Sequence, residues 1–371
     1  MTCATDKRWT LHHGDCLAWL RTLPSESVDS VVTDPPAGIA FMGKAWDHHK
    51  GGRAEWVAWL ASVMAECLRV LKPGGHALVW SLPRTEHWTA CAVEDAGFEI
   101  RDGVYHLCAQ GWPKSLDVSK AIDAAAGAER EVIGRKAYAN GCAPRSTVAD
   151  TYGVERDPAR DTRTLTAPAT DDAKRWAGYG TALKPAVERW ILARKPLDGT
   201  VAANVLAHGV GALNVDGCRV ESGARPLRES TGTGSERNGF HSAGSGSVAA
   251  GETTLGRWPS NVVLSHAETC GDECDAACPV AELDRKSGVL KTNGSGGVVV
   301  RSGLGYGSGK GGPALLRPGS EGGASRFFPC FHPFGYFGKA KSASQRGGKE
   351  NRHPTVKPID LMRWLVRLVT P

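Results

Sequence analysis

The stretch of sequence with the clearest chemical content is the turn Asp34-Pro35-Pro36, which follows the β-branched run of residues 28–33. A strand that ends in this turn would place the Asp34 carboxylate at the carboxyl edge of a sheet, where open α/β folds build their sites. The two prolines fix φ and remove backbone donors, so the turn is rigid. A rigid acceptor suits a reaction that requires a hydrogen bond to an exocyclic amine. The alternative interpretation is a plain turn that ends a strand.

A second group of residues has the chemistry of a metal site. His266, Cys270, Cys274 and Cys278 follow one another at a spacing of four. Three thiols and one imidazole can form a tetrahedral ligand set for a structural zinc ion, which would anchor an otherwise Gly-rich region. The spacing differs from the usual Cys-x2-Cys knuckle, so free thiols in a polar loop are the alternative interpretation.

The elements that would position these groups follow from the hydrophobic pattern. Apolar spacing predicts helices over residues 55–71, 85–96 and 358–369, and apolar runs predict strands over 28–33, 76–82, 98–107 and 187–194. In the last helix, the predicted buried stripe consists of Leu361, Leu365 and Leu368, widened by Ile359, Met362 and Val366. The alternation of strands and helices predicts an α/β sheet with mostly parallel strands. Residues 222–323 are rich in Gly and Ser, which predicts mobile loops with short ordered segments.

Composition limits the class of protein. The chain has 371 residues, of which 41% are hydrophobic and 23% are charged, so it is long enough for two or three globular domains. No apolar run approaches the roughly 18 residues of a membrane span, and no secretory leader is visible at the start. Eleven cysteines, most of them single within apolar runs, indicate reduced thiols. These features predict a cytoplasmic protein without a membrane partner.

The net charge of +6 hides an uneven distribution. Residues 1–284 contain 30 Lys and Arg against 36 Asp and Glu, whereas residues 285–371 contain 15 against 3. A basic end on an acidic body predicts a polyanion partner, because clustered cations gain affinity by releasing phosphate counterions. A solvated basic tail is the alternative.

Several segments, taken in their order along the chain, resemble the amino-directed DNA methyltransferases, which transfer a methyl group from S-adenosylmethionine to adenine N6 or cytosine N4. The matching segments are Gly14-Asp15-Cys16-Leu17, Asp34-Pro35-Pro36, residues 68–80, 111–120 and 183–196, and a His-Pro-Thr-x-Lys-Pro motif at residues 353–358. They cover most of residues 9–197 and 326–371. Their order is that of the beta subgroup, in which the catalytic half comes first, a target-recognition region follows, and the cofactor half comes last.

The resemblance implies a parallel-rich, Rossmann-like methyltransferase sheet. Residues 1–197 would form the catalytic half, residues 198–325 an irregular Gly-rich target-recognition insertion, and residues 326–371 the return to the methyltransferase domain. The implied function is site-specific methylation of double-stranded DNA by base flipping, of the phage or restriction-modification kind. A non-catalytic or split-subunit DNA-binding relative is the alternative, and a homodimer or a complementing chain would be the protein partner.

The resemblance also implies roles for individual residues. Asp34 would accept a hydrogen bond from the reacting amine, the Pro35 carbonyl would take its other hydrogen, and Pro36 would fix the turn. Near the cofactor, the resemblance places Asp15 and Cys16 by the adenine and His353, Thr355 and Lys357 by the methionine end, with Asp34 adjacent.

Two departures from the family pattern change these expectations. Ala37 stands where the family has an aromatic residue that stacks on the flipped base. Either Phe41 or Trp46 stacks instead, or the site is weakened or repurposed. The sequence also reaches Pro371 just before the place where the family has its main cofactor-binding loop. The expectation from the sequence is therefore a sheet that is incomplete at its C-terminus and a weak affinity for S-adenosylmethionine.

Overall fold

A computed structural model gives the conformation of residues 2–6, 9–40, 45–108, 115–137, 162–230, 247–267, 270, 273–275, 278–289, 322–331 and 357–371. The chain divides into two compact units, one formed by Met1–Gln110 with Ala186–Pro371 and the other by Gly111–Pro185. None of the helices in these described ranges has the length and apolar character needed to cross a bilayer.

The described strands are β1 (Thr2–Asp6), β2 (Trp9–His13), β3 (Val28–Thr33), β4 (Leu71–Ser81), β5 (Glu99–Leu107), β6 (Val132–Ala137), β7 (Thr162–Thr166), β8 (Val187–Arg194), β9 (Arg225–Ser230), β10 (Ser247–Thr253), β11 (Val262–Ser265) and β12 (Cys330–Phe331). The described α-helices are α1 (Cys16–Leu20), α2 (Arg53–Val70), α3 (Glu86–Asp95), α4 (Val118–Ala125), α5 (Asp171–Arg175), α6 (Val201–His208), α7 (Pro279–Ser287) and α8 (Ile359–Val369).

The first unit is built on a six-stranded sheet with the order β3-β4-β8-β5-β11-β12. Strand β8 pairs antiparallel with both of its neighbours, and the other three pairings are parallel. Five strands therefore point the same way, and β8 runs against them. This arrangement confirms the predicted α/β class and its mostly parallel sheet.

Both faces of the central strands β4 and β8 are covered, which explains the unbroken apolar runs at residues 77–80 and 190–193. In β4, Ala77 and Val79 belong to the apolar cluster that contains α2 and α3, whereas Leu78 and Trp80 belong to the cluster that contains α8. Strand β8 divides its residues between the same two clusters. Because successive side chains point to opposite faces, this unit has three layers, with the sheet between two helical layers.

Helix α8 buries most of its predicted stripe. Leu361 and Leu365 are fully buried and Leu368 is nearly so, as the spacing predicted. The prediction was wrong for Val366, which is 43% exposed, and it omitted Trp364, which is 8% exposed. The helix rotates about 100° per residue, so its buried face includes Trp364, one position before Leu365, and excludes Val366, one position after it.

The Gly- and Ser-rich stretch contains more regular structure than the sequence indicated. Its described residues include the antiparallel pair β9–β10, strand β11 and helix α7. Strand β11 lies in the central sheet although its residues fall within the predicted insertion, residues 198–325. The boundaries of that insertion remain a prediction.

The second unit is organised around a buried carboxylate. Asp123 of α4 is fully buried and accepts hydrogen bonds from the backbone N–H groups of Ala169 and Thr170, from the Thr170 hydroxyl and from the Arg130 guanidinium. Burial alone would raise the pKa of Asp123, but these donors lower it to about 2. One side chain therefore joins α4 to the segment that leads into α5.

We predict that Asp123→Asn loosens the second unit. Both oxygens of the Asp123 carboxylate accept hydrogen bonds, and an amide replaces one of these oxygens with a donor. Limited proteolysis should cut residues 111–185 faster than in the parent protein, and the melting temperature should fall. Since the pKa of Asp123 is lower in the folded state, its contribution to stability is present above about pH 4 and is lost as the pH falls towards 2. Asp171→Asn, at a side chain that is 98% exposed, is the control and should change neither measurement.

Candidate active site

The sheet face that packs against α8 changes from apolar to polar towards the carboxyl ends of the parallel strands. Alternate residues share a face, so each polar residue follows or precedes an apolar one by two positions. The apolar members are Leu78, Val104, Trp190 and Val263. The members that carry hydrogen-bonding groups, which we call the polar row, are His106, Glu188, Ser265 and, through its indole N–H, Trp80. Open α/β sheets bind their ligands at this edge.

Glu188 is the centre of the polar row. Its side chain is 6% exposed, and its Oε2 accepts a hydrogen bond of 3.0 Å from Trp80 Nε1. The same oxygen lies 3.8 Å from His106 Nδ1, and His106 Nε2 lies 2.6 Å from Ser265 Oγ. Glu188 and His106 are direct partners in the register of β8 and β5. Four neighbouring strands thus contribute to one connected set of contacts.

Lys357, which immediately precedes the N-cap residue of α8, adds a positive charge to this set. Its side chain is 9% exposed, and Nζ lies 3.7 Å from Glu188 Oε2 and 3.3 Å from Asp34 Oδ2. Nζ also lies 3.9 Å from the centre of the Trp80 ring, where a cation–π attraction adds to the two ion pairs. A buried ammonium requires such partners, because moving an unpaired charge out of water costs on the order of several kcal/mol even after the protein relaxes around it.

The charge of Glu188 depends on the same contacts. Burial alone would raise its pKa, but His106, the Lys357 ammonium and the Trp80 N–H together lower it to about 2. Glu188 is therefore an anion at neutral pH. The Lys357 ammonium therefore lies between two carboxylates, the buried Glu188 and the partly exposed Asp34.

The turn that carries Asp34 is fixed by hydrogen bonds to the residues that follow it, Ala37 and Gly38. The Thr85 hydroxyl donates to the Ala37 carbonyl at 2.7 Å, and the Gly38 N–H donates to Asp47 Oδ1 at 2.8 Å. Gly38 has φ +71°, and a Cβ there would lie 2.5 Å from Trp56 Nε1, so this position requires glycine. Asp34 itself stands at the open end of this support, with its side chain 33% exposed.

Of the two aromatic residues expected to stack on the base in place of residue 37, Trp46 is the one that the structure describes. It precedes Asp47, which is 1% exposed and whose carbonyl accepts from the Ala40 N–H at 2.7 Å. Through Asp47, the backbone beside Trp46 is tied to the turn that follows Asp34. The Trp46 side chain is 46% exposed, which leaves ring surface that a base could contact. Phe41 lies outside the described residues.

Asp15 and Cys16 line a second feature. A cavity of about 310 Å³ is bordered by Thr10, His12, Gly14, Asp15, Cys16 and Trp19. Asp15 is the N-cap of α1, and its Oδ1 accepts from the Ala18 N–H at 2.8 Å. The His12 and Trp19 rings lie 4.7 Å apart. The predicted residues Asp15 and Cys16 thus meet a concave surface with aromatic and polar groups.

The structure brings together only some of the residues predicted from the sequence. Asp34 and Lys357 are in contact, and the four predicted metal ligands lie within 4.8 Å of one another. His353 and Thr355 lie outside the described residues. Sequence reasoning missed the polar row, although one signal was present, since Glu188 is the single acidic residue of β8 and lies two positions before its apolar run, residues 190–193.

Residues 28–120, which contain β3, the Asp34 turn and β4, match the family model of the N6/N4 DNA methylases. This segment is similar to the DNA methylase family. The match confirms the family resemblance that the sequence motifs indicated.

Three bacterial methyltransferases are similar to part of this chain. The chain is 34% identical over 77 residues to the type II methyltransferase M.BamHI of Bacillus amyloliquefaciens, covering 20% of this chain and 18% of the relative. It is 46% identical over 70 residues to the DNA adenine methyltransferase YhdJ of Escherichia coli K12 (18% and 22%), and 32% identical over 72 residues to the type II methyltransferase M.BglII of Bacillus subtilis (19% and 19%). The chain therefore spans about a fifth of the length of each of these relatives.

Solved structures give a weaker comparison. The Thermus thermophilus protein TTHA0409 in complex with S-adenosyl-L-methionine is 15% identical, with 49% of this chain and 51% of that chain covered and a TM-score of 0.25. The cytosine-N4-specific PvuII DNA methyltransferase is also 15% identical, with coverage of 51% and 50% and a TM-score of 0.26. At these TM-scores the likeness adds nothing to the description of the fold or the site.

We predict that Glu188→Ala lowers the free energy of unfolding by about 3–5 kcal/mol, because it leaves the Lys357 ammonium buried with one counter-charge fewer. Chemical denaturation measures this change. The matched control is Glu282→Ala, which removes a 2.6 Å ion pair with Arg285 whose two side chains are 38% and 70% exposed, and which should therefore cost much less. Equal costs for the two variants would contradict the importance of the buried set.

The same residue predicts a pH dependence. Because the folded-state pKa of Glu188 is about 2 and its ordinary value is 4.5, its contribution to stability is complete above about pH 4.5 and is lost as the pH falls towards 2. The parent protein should therefore lose more stability than Glu188→Gln between pH 5 and pH 2. Parallel curves for the two proteins would contradict the depressed pKa.

Proposed function

We propose that this protein transfers a methyl group from S-adenosylmethionine to an exocyclic amino nitrogen of a base in double-stranded DNA, either adenine N6 or cytosine N4. The observation that carries the proposal is the position of Asp34. Its carboxylate ends a sheet strand within a DNA methylase segment, in a turn held from behind and next to a buried ammonium. That is the arrangement of a fixed acceptor for an amine.

The chemistry asked of Asp34 is to orient a weak nucleophile. An exocyclic amine donates both of its hydrogens readily but conjugates its lone pair with the ring. When Asp34 accepts one hydrogen and the Pro35 carbonyl accepts the other, the nitrogen lone pair can turn towards the incoming methyl group. Positioning and electrostatic stabilisation of this kind are a major source of rate enhancement.

Lys357 supports this role from the other side of the carboxylate. Its ammonium lies 3.3 Å from Asp34 Oδ2, and this ion pair limits the rotation of the carboxylate. We propose that Lys357 acts through Asp34, because two carboxylates already share its charge and only 9% of its side chain is exposed. A direct role at the methionine end of the cofactor is then left to His353 and Thr355.

The residues around the cavity at Asp15 fit the adenosine part of S-adenosylmethionine. His12 and Trp19 offer ring faces, and Asp15 is fixed by its bond to the Ala18 N–H while its second oxygen can accept from a ribose hydroxyl or an amine. When bound, S-adenosylmethionine supplies an electrophilic methyl group on a sulfonium. The protein's part is to bind this group and to present the amine to it.

The target base must leave the duplex before Asp34 can reach its amine. We propose that the exposed ring of Trp46 stacks on the extruded base, in place of the aromatic residue that Ala37 lacks. Lys and Arg of residues 285–371 would hold the DNA backbone, and residues 198–325 would read base edges. The competing proposal, a DNA-binding relative without activity or one that needs a second chain, is favoured by Ala37 alone.

We predict that Asp34→Ala reduces methyl transfer by on the order of 10²–10³-fold while DNA affinity stays within about twofold, because Asp34 contacts the amine and not the phosphates. The assay incubates the purified full-length protein with DNA and S-adenosylmethionine and measures N6-methyladenine and N4-methylcytosine by mass spectrometry. Asp34→Asn is the matched control and should retain more activity, since its amide oxygen still accepts a hydrogen bond. DNA binding without transfer by the parent protein would favour the competing proposal.

We predict that Trp46→Ala weakens the binding free energy of the extruded base by about 1–3 kcal/mol, which corresponds to a decrease in kcat/KM of roughly 5- to 150-fold. Trp46→Phe should recover most of the loss, because every aromatic ring offers a stacking face. Unchanged kcat/KM in Trp46→Ala would exclude this residue as the stacking platform.

A further inference from the structure

One imidazole and three thiols meet in the segment that joins β11 to α7. His266 follows the last residue of β11, and Cys278 is the N-cap of α7. The ligand atoms of His266, Cys270, Cys274 and Cys278 all lie within 4.8 Å of one another. His266 Nδ1 lies 3.3 Å from Cys274 Sγ and 3.6 Å from Cys278 Sγ. Residues that are spread over thirteen positions thus converge on one point.

These distances match a tetrahedral zinc ion. With Zn–S of about 2.3 Å and Zn–N of about 2.0–2.1 Å, tetrahedral geometry places neighbouring ligand atoms roughly 3.5–3.8 Å apart. The two His266 contacts and the 4.8 Å limit on the set lie close to that range. Four protein ligands leave no open position, which is the pattern of a structural site and not of a catalytic one.

The burial of the ligands supports the same conclusion. Cys278 is fully buried and Cys270 is 5% exposed, whereas Cys274 is exposed and would give the ion a path of entry. Around them, the buried apolar side chains of this cluster are few, namely Leu264, Ala267 and Val280. Such a small core supplies little stability of its own, and small cores are commonly completed by a disulfide or a metal.

Hydrogen bonds outside the ligand set orient the sulfur atoms and the ligand backbone. The Asp275 N–H donates to Cys270 Sγ at 3.4 Å, and the Cys278 N–H donates to the Asp275 carbonyl at 2.9 Å. The His266 N–H donates to the Phe331 carbonyl of β12 at 2.9 Å. Second-shell contacts of this kind are typical of metal sites, where they fix the direction of each ligand.

We propose that His266, Cys270, Cys274 and Cys278 form a structural zinc site that fastens the end of β11 to the start of α7. The site would stabilise more than its own segment. Asp284 of α7 accepts hydrogen bonds from the Ser325 N–H and the Ser325 hydroxyl, so residues 322–331 are fixed to the same helix. Zinc would thereby hold β11, α7 and the segment leading to β12 together at one edge of the central sheet.

Cys330 provides the matched control. It belongs to the same apolar cluster, but its thiol contacts the carbonyls of Phe328 at 3.4 Å and Ser325 at 3.8 Å. A thiol that donates to carbonyl oxygens is not a metal ligand. Replacing it should leave the metal content unchanged.

The experiment measures zinc in the purified full-length protein by elemental analysis, expressed with zinc in the medium. The parent protein and Cys330→Ser should each contain about one zinc per chain. Cys274→Ser, at the exposed ligand, should contain less than about 0.2. His266→Ala should lose the metal and His266→Cys should keep it, because four thiolates also bind zinc. If His266 had only a packing role, His266→Ala would keep the metal.

Cobalt spectroscopy keeps the proposal testable if a variant fails to fold. The parent protein loaded with Co²⁺ should show the d–d and thiolate charge-transfer bands of tetrahedral S₃N coordination, and Zn²⁺ should displace the Co²⁺. Less than about 0.2 zinc per chain in the parent together with no cobalt bands would overturn the proposal, as would a disulfide within the set detected by mass spectrometry. Full zinc content in Cys274→Ser would overturn the assignment of that ligand set.

Discussion

The ammonium of Lys357 is the group whose burial constrains the rest of the site. A charge that is removed from water must be paired, and here the partners come from the end of β3 and the start of β8. Lys357 reaches them because α8, which begins two residues later, packs Leu361 and Leu365 against the sheet face below the polar row. The burial of the apolar face of α8 therefore fixes the position of the Lys357 ammonium over the sheet, and the ammonium orients the Asp34 carboxylate.

The antiparallel strand makes this pairing possible. In the five parallel strands, the residues at the functional edge come last, but in β8 they come first. Glu188 can therefore lie beside His106 and below Lys357 although it precedes the apolar residues of its own strand. With β8 parallel to its neighbours, Glu188 would lie at the opposite edge of the sheet. The one reversed strand supplies the buried anion of the site.

Much of the fold could be predicted from the sequence, because β4 and β8 contain unbroken apolar runs and α8 carries a clear apolar stripe. Asp34 and Lys357 could be predicted because local motifs carry them. Glu188 could not, since its role depends on the direction of β8 and on its register with β5, which are non-local. Helix α7 was missed because only Val280 among its residues is buried. The compact unit Gly111–Pro185 rests on Asp123, a contact across more than forty residues that no local pattern reveals.

The contacts of the polar row continue to the other end of the sheet. From Asp34 they run through Lys357, Glu188 and His106 to Ser265, and the next residue after Ser265 is His266. Every residue of this chain of contacts except Lys357 lies in a strand or directly after one, so its backbone is held by the hydrogen bonds of the sheet. Residues fixed in this way act as a rigid support. A conformational switch would instead require an element with two arrangements whose balance both ends could shift. Fastening the backbone at His266 would therefore affect Asp34 by holding the sheet edge in one shape.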